Sequence, residues 1–317
     1  MNRNLEFFHD PDHDPELNHN HVQEREHDRI NVIGVFMVST KSSLGRKIIR
    51  IMEEATLSGE KPFFSFTKLK KSLGASVEHI FDTNTIKPDV QVARIVDPQL
   101  SQDMFEFLLA ICMNHLRGLD TFRKQQARKE WKQHGYRNIN SCCISLLGAG
   151  KIGSHVAAEF ARSGFKVQTW SEEPVDIQGV KSIVGSEGLL EMLGVTEILI
   201  NLLPLTRRTR GLLDKNFLGQ LKQGAYLINA GRGSHLVEED LLELLKTGQL
   251  SGAALDVFDD EPLPSNHVFW DHPGISITPH VASLTNINTA VDQIVDNYMR
   301  LKNGEALINQ VSREKGY

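Results

Sequence analysis

Three polar segments in the second half of the chain carry side chains that could together perform proton transfer on a small acid. They contain Arg232, Glu261 and His280. A guanidinium can hold a carboxylate through two parallel hydrogen bonds, and a histidine oriented by a carboxylate can transfer a proton near neutral pH. These are the groups that the reduction of a 2-oxo acid requires, so we predict that the three residues form a catalytic centre.

A glycine-rich run lies upstream of these segments and has the spacing G-x-G-x-x-G. It follows an apolar strand and begins an amphipathic helix, which is the context in which this motif binds a dinucleotide. Gly148 would permit the tight turn, Gly150 the approach of the pyrophosphate, and Gly153 the close packing of helix on strand. The predicted phosphate loop comprises Gly148, Ala149, Gly150, Lys151, Ile152 and Gly153. The alternative is a plain strand-turn-helix with incidental glycines.

The choice of dinucleotide depends on the end of the second strand, which contacts the adenosine ribose in such folds. Here Ser171 stands at that position, followed by Glu172 and Glu173. An acidic side chain accepts a hydrogen bond from a 2′-hydroxyl and repels a 2′-phosphate, whereas serine tolerates either. Because no arginine stands at 171–173, we expect NAD(H) or NADP(H), with a modest preference for NAD(H).

The elements that position these residues form an alternation of β-type runs and helical periodicity, which predicts a parallel sheet flanked by helices. The predicted strands are Cys142–Leu147, Phe165–Trp170, Glu197–Leu203, Ala225–Asn229, Ala253–Val257 and Ile275–Thr278. The predicted helices are Asp103–Arg128, Ile152–Arg162, Gly188–Leu193, Asp214–Leu221 and Glu238–Lys246. Each polar segment begins where a predicted strand ends, and ligands bind at that edge of an open α/β sheet.

The first 90 residues or so carry no anchoring motif. Asn4–Phe8 and Ile30–Val38 have the composition of strands, and Leu44–Glu54 that of a helix. A histidine-rich stretch lies among acidic residues and comprises His9, His13, His19, His21 and His27. Its spacing matches no defined metal site, so we predict a solvated loop there and no metal in the protein.

Length and composition narrow the class of protein. The 317 residues suit two domains, and the formal net charge of −5 gives no general attraction for nucleic acid or an anionic membrane. No apolar run approaches the ~20 residues that a membrane helix needs. Cys112, Cys142 and Cys143 are too few and too oddly numbered for a disulfide framework. We therefore expect a cytoplasmic protein without nucleic-acid or membrane partners.

At these motifs the sequence resembles the D-isomer-specific 2-hydroxyacid dehydrogenases, and most closely their glyoxylate/hydroxypyruvate reductase A-like branch. The resemblance covers about Leu69–Tyr317 and rests on Gly148–Gly153, Asn201–Thr206, Asn229–Ser234, Asp256–Glu261 and Thr278–His280. It implies a doubly wound nucleotide domain, residues 104–284, inserted into a smaller flavodoxin-like substrate domain. Residues 1–103 and 285–317 would form that second domain, with Asn286–Lys302 as a returning helix. It also implies a homodimer.

The resemblance assigns roles to individual residues. Arg232 would bind the carboxylate and carbonyl of the substrate, His280 would be the acid/base and Glu261 its partner. The cofactor-binding positions assigned in addition to the phosphate loop, Ser171 and Glu172 are Leu203, Pro204, Ala230, Gly231 and Asp256. Ala75 and Ser76 lie in the loop that would receive the substrate carboxylate, and Ser76 stands where the family usually has glycine.

Each of these assignments has a structural alternative. Arg232 could form a surface ion pair, His280 could be a buried structural histidine, Glu261 a solvated loop acid, and Asp256 a turn cap. The expected reaction is hydride transfer from NAD(P)H to C2 of glyoxylate, hydroxypyruvate or a similar acid. The alternatives are a dinucleotide-sensing protein like the corepressors of this fold, and a decayed enzyme, which Ser76 would favour.

Overall fold

The computed structural model describes residues 32–34, 91–94 and 96–284 and, with gaps, residues between 292 and 311. The chain divides into two compact units. The sheet unit comprises Pro98–Leu284, and the terminal unit combines Met1–Asp97 with Thr285–Tyr317. The first division therefore follows Asp97, rather than residue 103, because a helix begins at Pro98.

In the terminal unit, β1 (Val32–Gly34) pairs in parallel with β2 (Gln91–Ala93). The backbone N–H of Arg94 donates to the carbonyl of Asn309 at 3.0 Å, so the C-terminal segment lies beside the end of β2. The described residues of the predicted returning helix are helical within 292–301. The predictions for Asn4–Phe8, Leu44–Glu54, the histidine-rich stretch and the loop with Ala75 and Ser76 lie outside the described residues.

The sheet unit is built on a seven-stranded parallel sheet. Its strands are β3 (Cys143–Leu147), β4 (Lys166–Trp170), β5 (Val180–Ile183), β6 (Ile198–Asn201), β7 (Ala225–Asn229), β8 (Leu250–Leu255) and β9 (Ile275–Ile277). Their order across the sheet is β5-β4-β3-β6-β7-β8-β9. The winding reverses between β3 and β6, which makes the carboxyl edge at that point the place where a doubly wound sheet binds its ligand.

Helices cover the sheet because its strands are apolar on both faces. They are α1 (Pro98–Arg117), α2 (Leu119–Ala127), α3 (Lys151–Arg162), α4 (Gly185–Val195), α5 (Lys215–Leu218) and α6 (Glu238–Thr247). Successive strand residues point to opposite faces. Leu146 thus belongs to the core that contains Phe160 of α3, and Leu147 to the core that contains Leu193 of α4. The predicted α/β class and the doubly wound sheet are confirmed.

Two predictions about which elements make up the sheet unit were wrong. Asp103–Arg128 is two helices rather than one, since Gly118 adopts a left-handed conformation with φ of 62° and starts α2. Strand β5 was missed, because Lys181 and Ser182 separate the two apolar residues of Val180–Ile183 and no apolar run is left. The ends of the other strands also shift, most clearly for Glu197–Leu203, whose last two residues have left the sheet after Asn201.

The described part of the chain contains no helix that is both long and apolar enough to cross a membrane. Within the same residues, no group of three or more His, Cys, Asp or Glu side chains could hold a metal ion. The three cysteines are free, with Cys112 and Cys142 buried and Cys143 half-buried. Burial raises the pKa of the Cys142 thiol to about 12, which makes it unreactive at neutral pH.

Candidate active site

The glycine turn between β3 and α3 has the shape of a phosphate cradle. Gly148 adopts φ of 100°, and its N–H donates to the Trp170 carbonyl at 2.9 Å. A Cβ added to Gly153 would lie 2.0 Å from the Gly148 carbonyl oxygen, so only glycine permits the contact of helix and turn. At Gly150 an added Cβ would meet no described atom within 4 Å, and no side chain caps α3 there. The start of α3 at Gly150 therefore adjoins open space, which fits a pyrophosphate.

We expect Gly150→Val to abolish dinucleotide binding and leave the fold intact. The added side chain has room in the protein, but it fills the space where the pyrophosphate would approach the backbone. NADPH titration by fluorescence and thermal unfolding of the same sample would check both parts. Gly153→Ala is the contrasting variant, because its Cβ clashes with backbone and should lower thermal stability. A folded Gly150→Val protein with unchanged NADPH affinity would contradict the phosphate-loop assignment.

The loops that follow β4 and β6 approach each other beside this turn. The Ser171 hydroxyl donates to the Glu173 carbonyl at 2.6 Å, so it is used within its own loop. Arg208, from the loop after β6, places its Nη1 2.9 Å from the Glu172 Oε1. The expected preference for NAD(H) relied on the lack of an arginine at 171–173, but Arg208, from a distant part of the sequence, lies beside Glu172.

A buried polar network holds the backbone on which Arg232 stands. The Asn201 side-chain amide donates to Asn229 Oδ1 and to His235 Nδ1, both at 2.9 Å. His235 Nδ1 also accepts from the Arg232 N–H at 3.1 Å, so its proton lies on Nε2, which faces the Pro204 carbonyl at 3.2 Å. Burial, together with a smaller effect of the positive charge of Arg232, lowers the pKa of His235 to about 4, which keeps the ring neutral.

No role was assigned to Asn201, Asn229 or His235 from the sequence. The signal available was that Asn201 and Asn229 are the last residues of β6 and β7, where a buried polar side chain needs a partner. Their network joins the loop with Leu203 and Pro204 to the arginine loop. Gly231 fits tightly within it, because an added Cβ would lie 2.8 Å from Asn201 Nδ2.

The Arg232 guanidinium is half-buried, and its Nη1 donates to the Gly231 carbonyl at 2.6 Å. Among the residues that the structure describes, no carboxylate forms an ion pair with it. Its charge nevertheless acts on Glu261, since it contributes to lowering the pKa of that carboxyl. A half-buried cation without an acidic partner in the described residues is suited to bind the carboxylate of a ligand.

Glu261 and His280 form the predicted pair. His280 Nδ1 lies 3.0 Å from Glu261 Oε2, and the other carboxylate oxygen accepts the N–H of Phe258 at 3.0 Å. Burial by itself raises the pKa of the Glu261 carboxyl, but these two hydrogen bonds and the charges of His280 and Arg232 bring it below the ordinary value. The carboxylate is therefore ionised at neutral pH and fixes the imidazole with Nε2 left for proton transfer.

The turn that presents His280 is strained and is held by Asp256. His280 has φ of 55°, a left-handed conformation that costs a non-glycine residue about 1–3 kcal/mol. The Asp256 carboxylate accepts hydrogen bonds from the Thr278 hydroxyl at 2.6 Å and from the Val281 and Ala282 N–H groups at 2.9 Å. Asp256 thus anchors this turn, which was the structural alternative for that residue.

The strand-end loops are packed directly on one another. A Cβ added to Gly233, beside Arg232, would lie 1.9 Å from the carbonyl carbon of Phe258, which leads to Glu261. Ser234 also donates a hydrogen bond to Asp259 across the same contact. The arginine loop and the loop that carries Glu261 therefore form one cluster at the carboxyl edge, and His280 joins it through its bond to Glu261.

Comparison with known proteins assigns the sheet unit to a family. The family model described as D-isomer specific 2-hydroxyacid dehydrogenase, NAD binding domain, matches residues 109–282. Glyoxylate/hydroxypyruvate reductase A of Yersinia enterocolitica is 39% identical over 251 residues, which are 78% of this chain and 80% of that protein. A protein of the same name from Photorhabdus laumondii is 40% identical over 250 residues, 77% of this chain and 80% of that one.

Solved structures agree with this assignment. A D-isomer specific 2-hydroxyacid dehydrogenase from Xanthobacter autotrophicus in complex with NADPH and MES has a TM-score of 0.74 and 38% identity, covering 77% of this chain and 78% of that chain. The NADPH-dependent glyoxylate/hydroxypyruvate reductase from Sinorhizobium meliloti in complex with NADP and sulfate has a TM-score of 0.74 and 35% identity, with the same coverage of both chains. A nicotinamide dinucleotide is thus the class of cofactor, and the chain belongs to the D-isomer-specific 2-hydroxyacid dehydrogenases.

Proposed function

We propose that this chain reduces the C2 carbonyl of a small 2-oxo acid to a 2-hydroxy acid with a nicotinamide dinucleotide. The observation that carries the proposal is the packing of Arg232, which has no acidic partner among the described residues, beside the His280–Glu261 pair. The names of the relatives, glyoxylate/hydroxypyruvate reductase A, support glyoxylate and hydroxypyruvate as candidate substrates.

In this proposal the guanidinium of Arg232 holds the substrate carboxylate and polarises the adjacent carbonyl. His280 is protonated on Nε2 and donates that proton to the carbonyl oxygen, while Glu261 stabilises the imidazolium and keeps the ring in place. The reduced cofactor, when bound, supplies the hydride that C2 receives. Hydride and proton together convert the carbonyl to an alcohol, with D configuration where C2 becomes chiral.

The remaining site residues are assigned on the same basis. Ala75 and Ser76 would receive the substrate carboxylate with their backbone N–H groups. The residues proposed to line the dinucleotide are Gly148, Ala149, Gly150, Lys151, Ile152, Gly153, Ser171, Glu172, Leu203, Pro204, Ala230, Gly231 and Asp256. Asp256 would act through the turn that it anchors. The sheet unit would be the nucleotide domain and the terminal unit the substrate domain.

We propose a homodimer and a cytoplasmic location as well. The segment that follows α2 exposes 98% of Trp131 and 60% of Tyr136, and Leu119 and Phe122 of α2 are exposed nearby in sequence. Large exposed apolar groups mark interaction surfaces, and a second copy of this chain is the partner proposed here. Light scattering should therefore give twice the mass of one chain.

The proposed cytoplasmic location is supported by the free thiols of the cysteines, which suit a reducing compartment.

The reaction is tested by following reduced cofactor at 340 nm with a panel of 2-oxo acids. We expect consumption of NADPH or NADH with glyoxylate and hydroxypyruvate, and none with the corresponding 2-hydroxy acids. Oxidation of glycolate by the oxidised cofactor, slower but measurable, would confirm reversibility. Tight dinucleotide binding with no turnover of any acid in the panel would contradict the proposed reaction.

A further inference from the structure

The Glu172–Arg208 ion pair joins the loops that follow β4 and β6. Glu172 lies just after β4 and Arg208 in the loop after β6, and these strands flank β3 on its two sides. Gly148, at the end of β3, bonds to the Trp170 carbonyl, and a Cβ added to it would lie 3.0 Å from the Leu202 carbonyl oxygen. The pair therefore connects the two loops between which the adenosine half of a dinucleotide would pass.

Stability does not account for this pair. The Arg208 and Glu172 side chains are 82% and 56% exposed, and an ion pair so open to water contributes little to folding. Both charged groups remain accessible to a ligand. A carboxylate accepts a hydrogen bond from a ribose 2′-hydroxyl, whereas a guanidinium binds a phosphate bidentately. The two side chains thus carry opposite preferences for the two forms of the cofactor.

We propose that Glu172 and Arg208 together determine cofactor choice, with Glu172 binding the ribose 2′-hydroxyl of NADH and Arg208 binding the 2′-phosphate of NADPH. This inference rests on the proposed function for the identity of the cofactor. With NADH, Glu172 keeps Arg208 as its counter-ion. With NADPH, the phosphate replaces the carboxylate on Arg208, and the cost of breaking the pair is small because the pair is exposed. The enzyme accordingly accepts both cofactors.

The test measures binding alone, by fluorescence titration of NADPH and NADH without any 2-oxo acid. We expect Arg208→Ala to weaken NADPH binding about 10- to 100-fold, as for a lost hydrogen bond to a charged group. The affinity for NADH should be nearly unchanged. Glu172→Gln should weaken NADH binding up to about tenfold. It should strengthen NADPH binding, because a charge that repels the 2′-phosphate is removed. Adenosine 2′,5′-bisphosphate and 5′-AMP, used as competitors, isolate the contribution of the 2′-phosphate.

Arg207→Ala is the matched control, since it removes the same charge from the adjacent exposed position of the same loop. It should leave both affinities close to wild type, and thermal unfolding should be unchanged in all variants. The inference is overturned if Arg208→Ala leaves NADPH affinity intact, or if Arg207→Ala weakens NADPH equally. A protein that shows the expected affinities but reduces no acid would refute the proposed reaction and leave the role of this pair standing.

Discussion

We expect Arg232→Lys to lower kcat/KM for glyoxylate or hydroxypyruvate by about 10²-fold or more. The guanidinium is fixed by its hydrogen bond to the Gly231 carbonyl and by a backbone held to His235, so its planar fork is preorganised for two substrate oxygens. A lysine keeps the charge but presents a point charge on a flexible stem. Steady-state kinetics in the reductive direction measure the loss, and titration with NADPH shows whether cofactor binding is preserved.

The matched control is Arg207→Lys, the same substitution at an exposed position of the loop after β6. It should retain wild-type kcat/KM, which separates a general effect of the exchange from one specific to Arg232. A lysine variant at 232 with wild-type efficiency would show that Arg232 does not bind the carboxylate, which would leave the backbone N–H groups of Ala75 and Ser76 as its proposed site. Loss of NADPH affinity would instead indicate that Arg232 supports the cofactor.

The strand-end location of the proposed catalytic residues could be predicted from the sequence because it depends on local patterns. Apolar runs such as Ala225–Asn229 have to be buried strands, and the polar residue that follows each one has to lie at the carboxyl edge. The positions of Arg232 and His280 follow from this rule alone. The pairing of His280 with Glu261, a distance of 3.0 Å, follows from the packing of two such loops.

Contacts between distant segments could not be predicted in the same way. Arg208 and Glu172 form an ion pair because β4 and β6 lie on either side of β3. No local sequence pattern predicts this contact. His235 becomes a neutral acceptor for the Arg232 N–H because of its burial among Asn201 and Asn229. The helix break at Gly118 is a local feature. It was not predicted because the helical spacing of apolar residues continues across this left-handed glycine.

Glu261→Gln should move the falling limb of the reductive pH–rate profile to lower pH and retain part of the activity below that limb. Reduction consumes a proton, so kcat/KM should fall as pH rises and the proton donor is lost. The hydrogen bond and charge of His280 help to lower the pKa of the Glu261 carboxyl, so the two groups are electrostatically coupled. Glutamine keeps the shape of the side chain but removes the negative charge 3.0 Å from the imidazole, so we expect the limb at lower pH.

His280→Ala should differ in kind, because it removes the proton donor itself. We expect kcat/KM to fall by about 10²–10⁴-fold, the usual contribution of general acid catalysis, with the falling limb lost. Both profiles would be recorded with saturating NADPH and subsaturating glyoxylate. Asp260→Asn is the matched control, an exposed acid beside Glu261 whose change should leave the limb in place. A limb that does not move in Glu261→Gln would show that the Glu261 charge does not act on the proton donor, and that the 3.0 Å contact with His280 is structural.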